Sequence, residues 1–168
     1  MKGGEVIYRD WRPDDPVGDI TAMLHAAYRA HALMGFNFTA ADQDDATTLQ
    51  RLSSGRSMVA EMNGRIVGTI TLHGPQAADM CLWYREHYSF EQFGVHPSHQ
   101  KLGIGRELLR RTEERAREAG ARELAFDTSE GATDLCRWYA KMDYRFIKHL
   151  SRNGKTYRSV ILSKALID

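Results

Sequence analysis

Cysteine is scarce in this chain, and its histidines are scattered. Only two cysteines, Cys81 and Cys136, occur among 168 residues, and no CxxC pair is present. Disulfide frameworks and thiolate zinc sites need more cysteines at closer spacing, so both are excluded. His96 and His99 have ligand-like spacing, but no third ligand lies near them, and no metal site is predicted. This cysteine usage is typical of a protein in the reducing cytoplasm.

The chain also lacks a strong net charge and any long apolar run. Its 23 Lys and Arg residues nearly balance 22 Asp and Glu residues, which leaves a formal net charge of +1. This balance gives no electrostatic reason to expect nucleic acid or a membrane surface as a partner. No apolar run approaches the ~20 residues that span a bilayer. Charges at Glu5, Arg9, Asp10 and Arg12 also interrupt any signal-peptide pattern.

The pattern of apolar residues predicts one mixed α/β domain over residues 1–168. β-Branched and aromatic residues indicate strands at residues 5–11, 57–61, 65–72, 89–95, 122–127, 144–150 and 156–163. Helical spacing indicates helices at residues 17–33, 103–120 and 132–142, and another from Thr39 or Asp42 to about Gly55. Asn63-Gly64 predicts a hairpin, and residues 73–88 are interpreted as an insertion with some helical character.

The segment from Gln100 to Arg106 places two glycines and two basic residues at the start of a predicted helix. A helix N-terminus has unpartnered backbone N–H groups and a partial positive charge. Gly103 and Gly105 would let a phosphate approach these amides, and Lys101 adds positive charge. Neither GxxxxGK[ST] nor the third glycine of the dinucleotide fingerprint is present, so a P-loop or Rossmann site is excluded. The glycines alone are equally consistent with a tight turn.

The helix that follows these glycines is strongly amphipathic. Its predicted buried face comprises Ile104, Leu108, Leu109, Thr112, Ala116 and Ala119. On the opposite, solvent-facing side, Glu107 with Arg111 and Glu113 with Arg117 have the spacing of i,i+4 ion pairs. These features predict a helix of about five turns that packs against the sheet.

Two motifs resemble the GNAT superfamily of acetyl-CoA-dependent N-acetyltransferases. The family's [Q/R]-x-x-G-x-[G/A] motif, which follows a strand and precedes a helix, is matched by Gln100, Gly103 and Gly105. Its [L/F]-Y-x-K-x-G-[F/Y] segment is similar to WYAKMDY at residues 138–144. The order β-α-α-β-β-β-α-β-α-β-β also looks like that family, over roughly residues 8–164. The resemblance implies a mostly antiparallel sheet with splayed fourth and fifth strands and helices on both faces.

The resemblance also implies direct transfer of an acetyl group from acetyl-CoA to a primary amine, without a metal. The strand before the glycines would contact the pantetheine arm and the acyl carbonyl through the backbone of Phe93, Gly94 and Val95. The pyrophosphate would be bound by the following loop and helix start, formed by Gln100, Lys101, Leu102, Gly103, Ile104, Gly105 and Arg106.

Three side chains are candidates for the proton transfers. Glu91, on the strand before the glycines, is the predicted general base, although it could instead face solvent or pair with an arginine. Asp127 is a rival base, or only a carboxylate at a strand end. Tyr139 matches the family tyrosine that protonates the leaving thiolate, and its alternative role is core packing. Two positions depart from the family pattern, since Asp143 replaces a glycine and Ala132 replaces an asparagine.

The acceptor amine is not specified by the sequence. Its site is predicted near the first two helices, residues 73–88 and the turn at 150–156. Aromatic and histidine residues there are Tyr28, His31, Phe36, Phe38, Trp83, Tyr84 and His87. The predicted partner is a small-molecule or peptide amine, without nucleic acid or membrane, and a homodimer is left open. Two alternatives also remain, an acyl-CoA-binding sensor with weak or no activity and an unrelated α/β protein that binds another phosphate ligand.

Overall fold

A computed structural model describes residues 4–79 and 81–167. Its strands are β1 (Val6–Asp10), β2 (Arg56–Met62), β3 (Arg65–His73), β4 (Tyr88–Val95), β5 (Glu123–Ser129), β6 (Arg145–Leu150) and β7 (Ser159–Ala165). They form one sheet in the order β1-β2-β3-β4-β5-β7-β6. Neighbouring strands are antiparallel except β4 and β5, which are parallel. The predicted mixed, mostly antiparallel sheet is therefore confirmed.

The helices are α1 (Val17–Leu33), α2 (Thr39–Asp42), α3 (Asp45–Ser53), α4 (Leu82–Glu86), α5 (Ile104–Glu118) and α6 (Thr133–Ala140). The single helix predicted after residue 39 is divided into α2 and α3. The division has a local cause, because the Asp44 side chain accepts a hydrogen bond from the Thr47 N–H and caps α3. Helix α4 lies within residues 73–88 and accounts for their helical character.

Separate apolar clusters pack on the two faces of the sheet. One cluster joins α5 and α6 to the sheet through residues such as Leu108, Leu124 and Tyr139. The other joins α1 and α3 through Leu24 and Leu52. Each cluster removes a helix face and a sheet face from water together, which is the main stabilisation of such layers.

Glu113 corrects the predicted surface pairing on α5. It is 5% exposed and bonds to the Tyr144 hydroxyl at 3.1 Å and the Lys164 ammonium at 3.0 Å. Arg117 instead donates to the Leu166 carbonyl. A buried carboxylate needs a charge partner and hydrogen bonds. Glu113 obtains them from Lys164 and Tyr144, whose positions the helical spacing of α5 could not indicate. The predicted pair of Glu107 and Arg111 is confirmed at 2.7 Å.

Candidate active site

The sheet splits between β4 and β5. These strands pair at only two positions, Tyr88 with Leu124 and Ser89 with Ala125, and beyond them no ladder joins the strands. A cavity of about 950 Å³ occupies the split and is lined by both strands, α1, α6 and the start of α5. A volume of this size is typical of a ligand site in proteins. The cavity therefore provides the candidate active site.

The glycine segment forms one end of this cavity. The first hydrogen bond of α5 runs from the Glu107 N–H to the Gly103 carbonyl at 3.0 Å, so the preceding N–H groups have no acceptor within the helix. Gly103 has φ 82 and Lys101 has φ 65. A Cβ at Gly105 would lie 3.6 Å from the side chains of Phe93 and Val95, whereas one at Gly103 would meet no atom within 4 Å. The backbone therefore forms a concave, donor-rich surface at the helix N-terminus.

The predicted cofactor residues do not all face this surface. Gln100, Lys101, Gly103, Ile104, Gly105 and Arg106 line the cavity with Phe93, Gly94 and Val95. Leu102 does not line it and is 62% exposed. Two of the backbone groups predicted to contact the cofactor already accept hydrogen bonds. Tyr28 donates to the Phe93 carbonyl, and the Gln100 side chain donates to the Val95 carbonyl. These hydrogen bonds fix the end of β4 at the mouth of the split.

Strand β4 contains a bulge at Gln92. Between the pairs Thr71–Glu91 and Thr69–Gly94, β4 advances by three residues while β3 advances by two. Within this stretch, Gln92 has a φ of 51°. Its side-chain oxygen accepts from the Gln43 amide, whose own oxygen accepts from the Arg51 guanidinium. Because arginine only donates, this chain fixes both amide orientations. The bulge next to the split is therefore anchored to α3.

Tyr139 lies between β4 and β5 at the split. Its ring centroid is 4.1 Å from that of Phe126, and the residue is 4% exposed. The pKa of the Tyr139 hydroxyl is raised well above its usual value, mainly by burial and secondly by the neighbouring Tyr28. No residue in the described ranges bonds to this hydroxyl, and Tyr139 lines the cavity. The structure thus presents a protonated phenol to whatever occupies the split.

Glu91 also lines the cavity, but it is paired. The His73 ring contacts one carboxylate oxygen at 3.0 Å, and Arg51 contacts the other at 3.2 Å. Burial alone would raise the pKa of Glu91, yet the His73 hydrogen bond and the Arg51 charge outweigh it and lower that pKa to about 2. The carboxylate is therefore charged throughout the neutral range and holds protons weakly. Glu91 thus pairs with Arg51, which is the alternative that the sequence left open, and it also lines the cavity.

Asp127 is more completely engaged than Glu91. It accepts from the Tyr84 hydroxyl at 2.8 Å and from two nitrogens of Arg152 at 3.1 and 3.0 Å. Burial, and then the Asp127 charge, raises the pKa of Tyr84 well above its usual value, so Tyr84 remains a donor. Asp127 lines the cavity from the β5 side, but its hydrogen bonds leave little free acceptor capacity for an incoming proton.

The wall opposite α5 is built from two distant loops. The loop after α1 is joined to the loop between β6 and β7, where the Asn37 side chain donates to the Gly154 carbonyl at 2.7 Å. Thr156 donates to the Gly35 carbonyl, and Lys155 donates to the Asn37 carbonyl. We call this set of hydrogen bonds the loop clasp. It places Lys155 and Tyr157 along the cavity.

The predicted aromatic residues are only partly gathered there. Tyr28, His31, Phe38 and Tyr84 line the cavity. Phe36 lies behind this wall and packs edge-on against Phe38, at 6.2 Å between centroids. Two predicted residues lie away from the lining, because Trp83 and His87 stack on each other with centroids 4.0 Å apart.

Sequence reasoning missed several polar residues of the lining, namely Arg51, His73, Gln92, Arg152, Lys155 and Tyr157. They come from four separate elements. Gln92 and Tyr157 lie outside the predicted acceptor region. Arg51 lies in its second helix, His73 in residues 73–88, and Arg152 and Lys155 in the 150–156 turn, but the sequence predicts no role for these side chains. The one available signal was the concentration of basic residues in that turn.

The described residues contain neither a cluster of metal ligands nor a membrane-spanning helix. Within residues 4–79 and 81–167, no group of three or more His, Cys, Asp or Glu side chains could hold a metal ion. No helix in the same ranges has the length and apolarity needed to cross a membrane.

Fold and site together define a mixed α/β domain with a ligand cleft where its sheet splits. The chain belongs to the acetyltransferase (GNAT) family, whose model matches residues 9–144. This confirms the family inferred from the two motifs and the prediction of an acyltransferase. No curated protein matches the chain.

Solved structures share this fold at low sequence identity. A GCN5-related N-acetyltransferase from Rhodopseudomonas palustris is 24% identical with a TM-score of 0.73, and the match covers 98% of each chain. A GNAT family acetyltransferase from Elizabethkingia anophelis, with acetyl-CoA bound, is 18% identical with a TM-score of 0.65 over 95% of this chain and 97% of its own. The ribosomal-protein-S18-alanine N-acetyltransferase from Escherichia coli is 11% identical with a TM-score of 0.71 over 96% and 94%.

Proposed function

We propose that the protein transfers an acetyl group from acetyl-CoA directly to a primary amine. One observation carries the proposal: the amide surface at the start of α5 and the Tyr139 hydroxyl open on the same cavity. The Elizabethkingia structure with acetyl-CoA bound and the Escherichia coli alanine N-acetyltransferase support the donor and the amine chemistry. Both cysteines are free, which supports a cytoplasmic location.

The chain offers suitable groups for acetyl-CoA. The N–H groups of Ile104, Gly105 and Arg106 would bind the pyrophosphate, because they precede the first helical hydrogen bond. Lys101 and Arg106 would add positive charge, and the backbone of β4 would contact the pantetheine arm. When bound, acetyl-CoA supplies an activated acyl carbon on a good leaving group, so the protein needs mainly to position the partners and move two protons.

Glu91 and Tyr139 assist those proton transfers in our proposal. The amine nitrogen forms a bond to the acyl carbon, the carbon–sulfur bond breaks, and Tyr139 gives its proton to the departing sulfur. Glu91 attracts the ammonium form of the acceptor. One proton of this ammonium leaves through water beside the carboxylate before attack, and the nitrogen loses a second proton by the same route as the amide forms. With a pKa of about 2, Glu91 acts through charge and position more than by holding the proton itself. Tyr139 then regains a proton from solvent.

The same pKa favours a second candidate function, an acyl-CoA-binding sensor with weak or no activity. A carboxylate held by both His73 and Arg51 is a poor proton acceptor. Two measurements separate the candidates. Acetyl-CoA should raise the melting temperature in both cases, whereas a free-thiol assay over amines, amino acids, peptides and aminoglycosides should detect CoA release only for the transferase. If neither acetyl-CoA nor CoA raises the melting temperature, both candidates fail.

Gly103 allows a sharper test of the amide surface. Gly103 and Gly120 lie at opposite ends of α5, with φ 82 and 91, and a Cβ at either would meet no atom within 4 Å. Replacing either with alanine should therefore cost a similar backbone strain of about 1–2 kcal/mol. Only Gly103→Ala should also weaken acetyl-CoA binding, by about tenfold, because it disturbs the amides that face the phosphate. Calorimetric titration of both variants checks this, and equal affinities would rule out the proposed phosphate site.

A further inference from the structure

The loop between β6 and β7 brings two cations to the acceptor side of the cavity. Arg152 and Lys155 lie on the same loop, and both line the cavity. The loop clasp fixes this loop against the segment after α1, so the two side chains extend from an anchored wall. Their unused hydrogen-bond donors indicate what that wall is suited to bind.

Arg152 has one free edge. Its Nε and Nη2 atoms donate to the two oxygens of Asp127, and its guanidinium lies over the Tyr84 ring, 5.6 Å from the centroid. Among the described residues, no acceptor bonds to Nη1. Asp127 therefore balances the charge of Arg152 while leaving an N–H pair available to a ligand.

Lys155 differs because its partners are neutral. The Nζ atom donates to the Asn37 carbonyl at 2.9 Å and to the Thr39 hydroxyl at 3.0 Å. An ammonium has three donors, so one remains, and no carboxylate in the described ranges forms an ion pair with it. Burial, and then the nearby Arg51 charge, lowers the pKa of Lys155. A bound anion would offset both effects because its charge favours the ammonium form.

The charges around Lys155 can be paired off. Arg51 is matched by Glu91, and Arg152 is matched by Asp127. Three further carboxylates lie nearby without forming an ion pair with Lys155. Asp79 and Asp134 line the cavity, but Asp79 accepts from the Cys81 N–H at 2.7 Å and Asp134 contacts His31 at 3.5 Å. Asp42, which also acts on Lys155, is exposed and does not line the cavity. Among the described residues of this wall, Lys155 is thus the cation that contacts no carboxylate.

We infer that the acceptor is a small amine that also carries a carboxylate, such as an α-amino acid, and that Lys155 binds this carboxylate together with the free edge of Arg152. The inference rests on the proposed acetyl transfer, and it adds the class of acceptor. The negative charge of Glu91 would attract the ammonium end of the same molecule. A cavity of about 950 Å³ must hold the acyl arm as well, which favours a small acceptor.

Matched acceptors test this inference. Each amino acid of a panel is paired with its carboxamide, which keeps the side chain and the amine but removes the negative charge. Thiol release gives kcat/KM for both members of each pair. The carboxamide also changes the basicity of the amine. The informative quantity is therefore kcat/KM for the acid divided by kcat/KM for the amide, compared between the wild type and each variant.

Three variants separate charge recognition from wall structure. Lys155→Met should lower kcat/KM for the acids about tenfold to a hundredfold, mainly through KM, while the amides change little. Lys155→Arg should keep most of the preference for acids. Asn37→Ala removes uncharged hydrogen bonds of the same clasp and should keep the acid-to-amide ratio near that of the wild type.

The outcomes distinguish the inference from the proposed function. An equal loss of kcat/KM for acids and amides with Lys155→Met would overturn the carboxylate site. Titration of the same pairs into CoA-saturated protein measures recognition without turnover. If acids bind more tightly but no thiol is released, the carboxylate site stands and acetyl transfer is rejected. If thiol is released with the amides alone, acetyl transfer stands and the carboxylate site is rejected.

Discussion

Tyr139→Phe is expected to lower kcat about 100-fold at neutral pH, while the affinity for acetyl-CoA changes little. Removing a general acid costs a factor of this order, and the thiolate is a good enough leaving group to sustain the residual rate. The ring stays in place because its packing against Phe126 and Phe90 involves no hydroxyl. Steady-state kinetics with free-thiol detection, and calorimetry for acetyl-CoA, measure the two effects separately.

Tyr144→Phe is the matched control for this variant. Tyr144 belongs to the same aromatic cluster, 5.5 Å from Tyr139 between centroids, and it is also buried. Its hydroxyl donates to Glu113 and does not line the cavity. Its loss should therefore reduce the free energy of unfolding with little change in kcat. If both variants lower kcat to the same extent, the effect of Tyr139 is structural and its acid role is wrong.

Glu91→Gln is expected to lower kcat/KM for the amine about tenfold to a hundredfold at pH 7 and to shift the active range to higher pH. An amine with a pKa of ~10.4 is almost entirely in the ammonium form at pH 7, and this is the form that the carboxylate attracts. The loss should shrink toward pH 10, where the neutral amine no longer depends on that charge. Replacement also leaves the Arg51 charge unmatched beside the cavity. Profiles of kcat/KM between pH 6 and 10 check this expectation.

The sign of the wild-type profile follows from the lowered pKa. Since the pKa of Glu91 is about 2, its carboxylate stays charged across this range and cannot cause a loss of activity near pH 5. Activity should rise with pH as the acceptor amine loses its proton. Asp127→Asn provides the comparison, because Asp127 is the rival base. A pH shift with Asp127→Asn but none with Glu91→Gln would transfer the role to Asp127.

The sequence was a good guide to the elements and to the amide surface. Their determinants are local: Asn63-Gly64 forms the turn between β2 and β3, with positive φ at both residues, and apolar spacing marks α5. Asp143, where the family has glycine, does adopt φ 69. Local chemistry could predict these features because turn residues and helix periodicity act within a few positions of each other.

The surroundings of the predicted side chains could not be read in the same way. Glu91 acquires its low pKa from Arg51 on α3 and His73 at the end of β3, which approach it only when the sheet and α3 pack together. The loop clasp likewise joins residues more than a hundred positions apart. Tertiary contacts of this kind determine charge and hydrogen bonding at the site, and no periodicity records them.

The position of β7 in the sheet has a consequence for how the protein is made. Although β7 follows β6 in the sequence, it lies between β5 and β6 in the sheet and pairs with β5 over seven residues, from Glu123 to Ser129. During synthesis, β5 must therefore wait with an unpaired edge until the C-terminal segment emerges, and such edges are prone to wrong pairing. Because the β6–β7 loop completes the wall that begins with the loop after α1, this wall of the cleft is finished only after the glycine segment at the other end has been made.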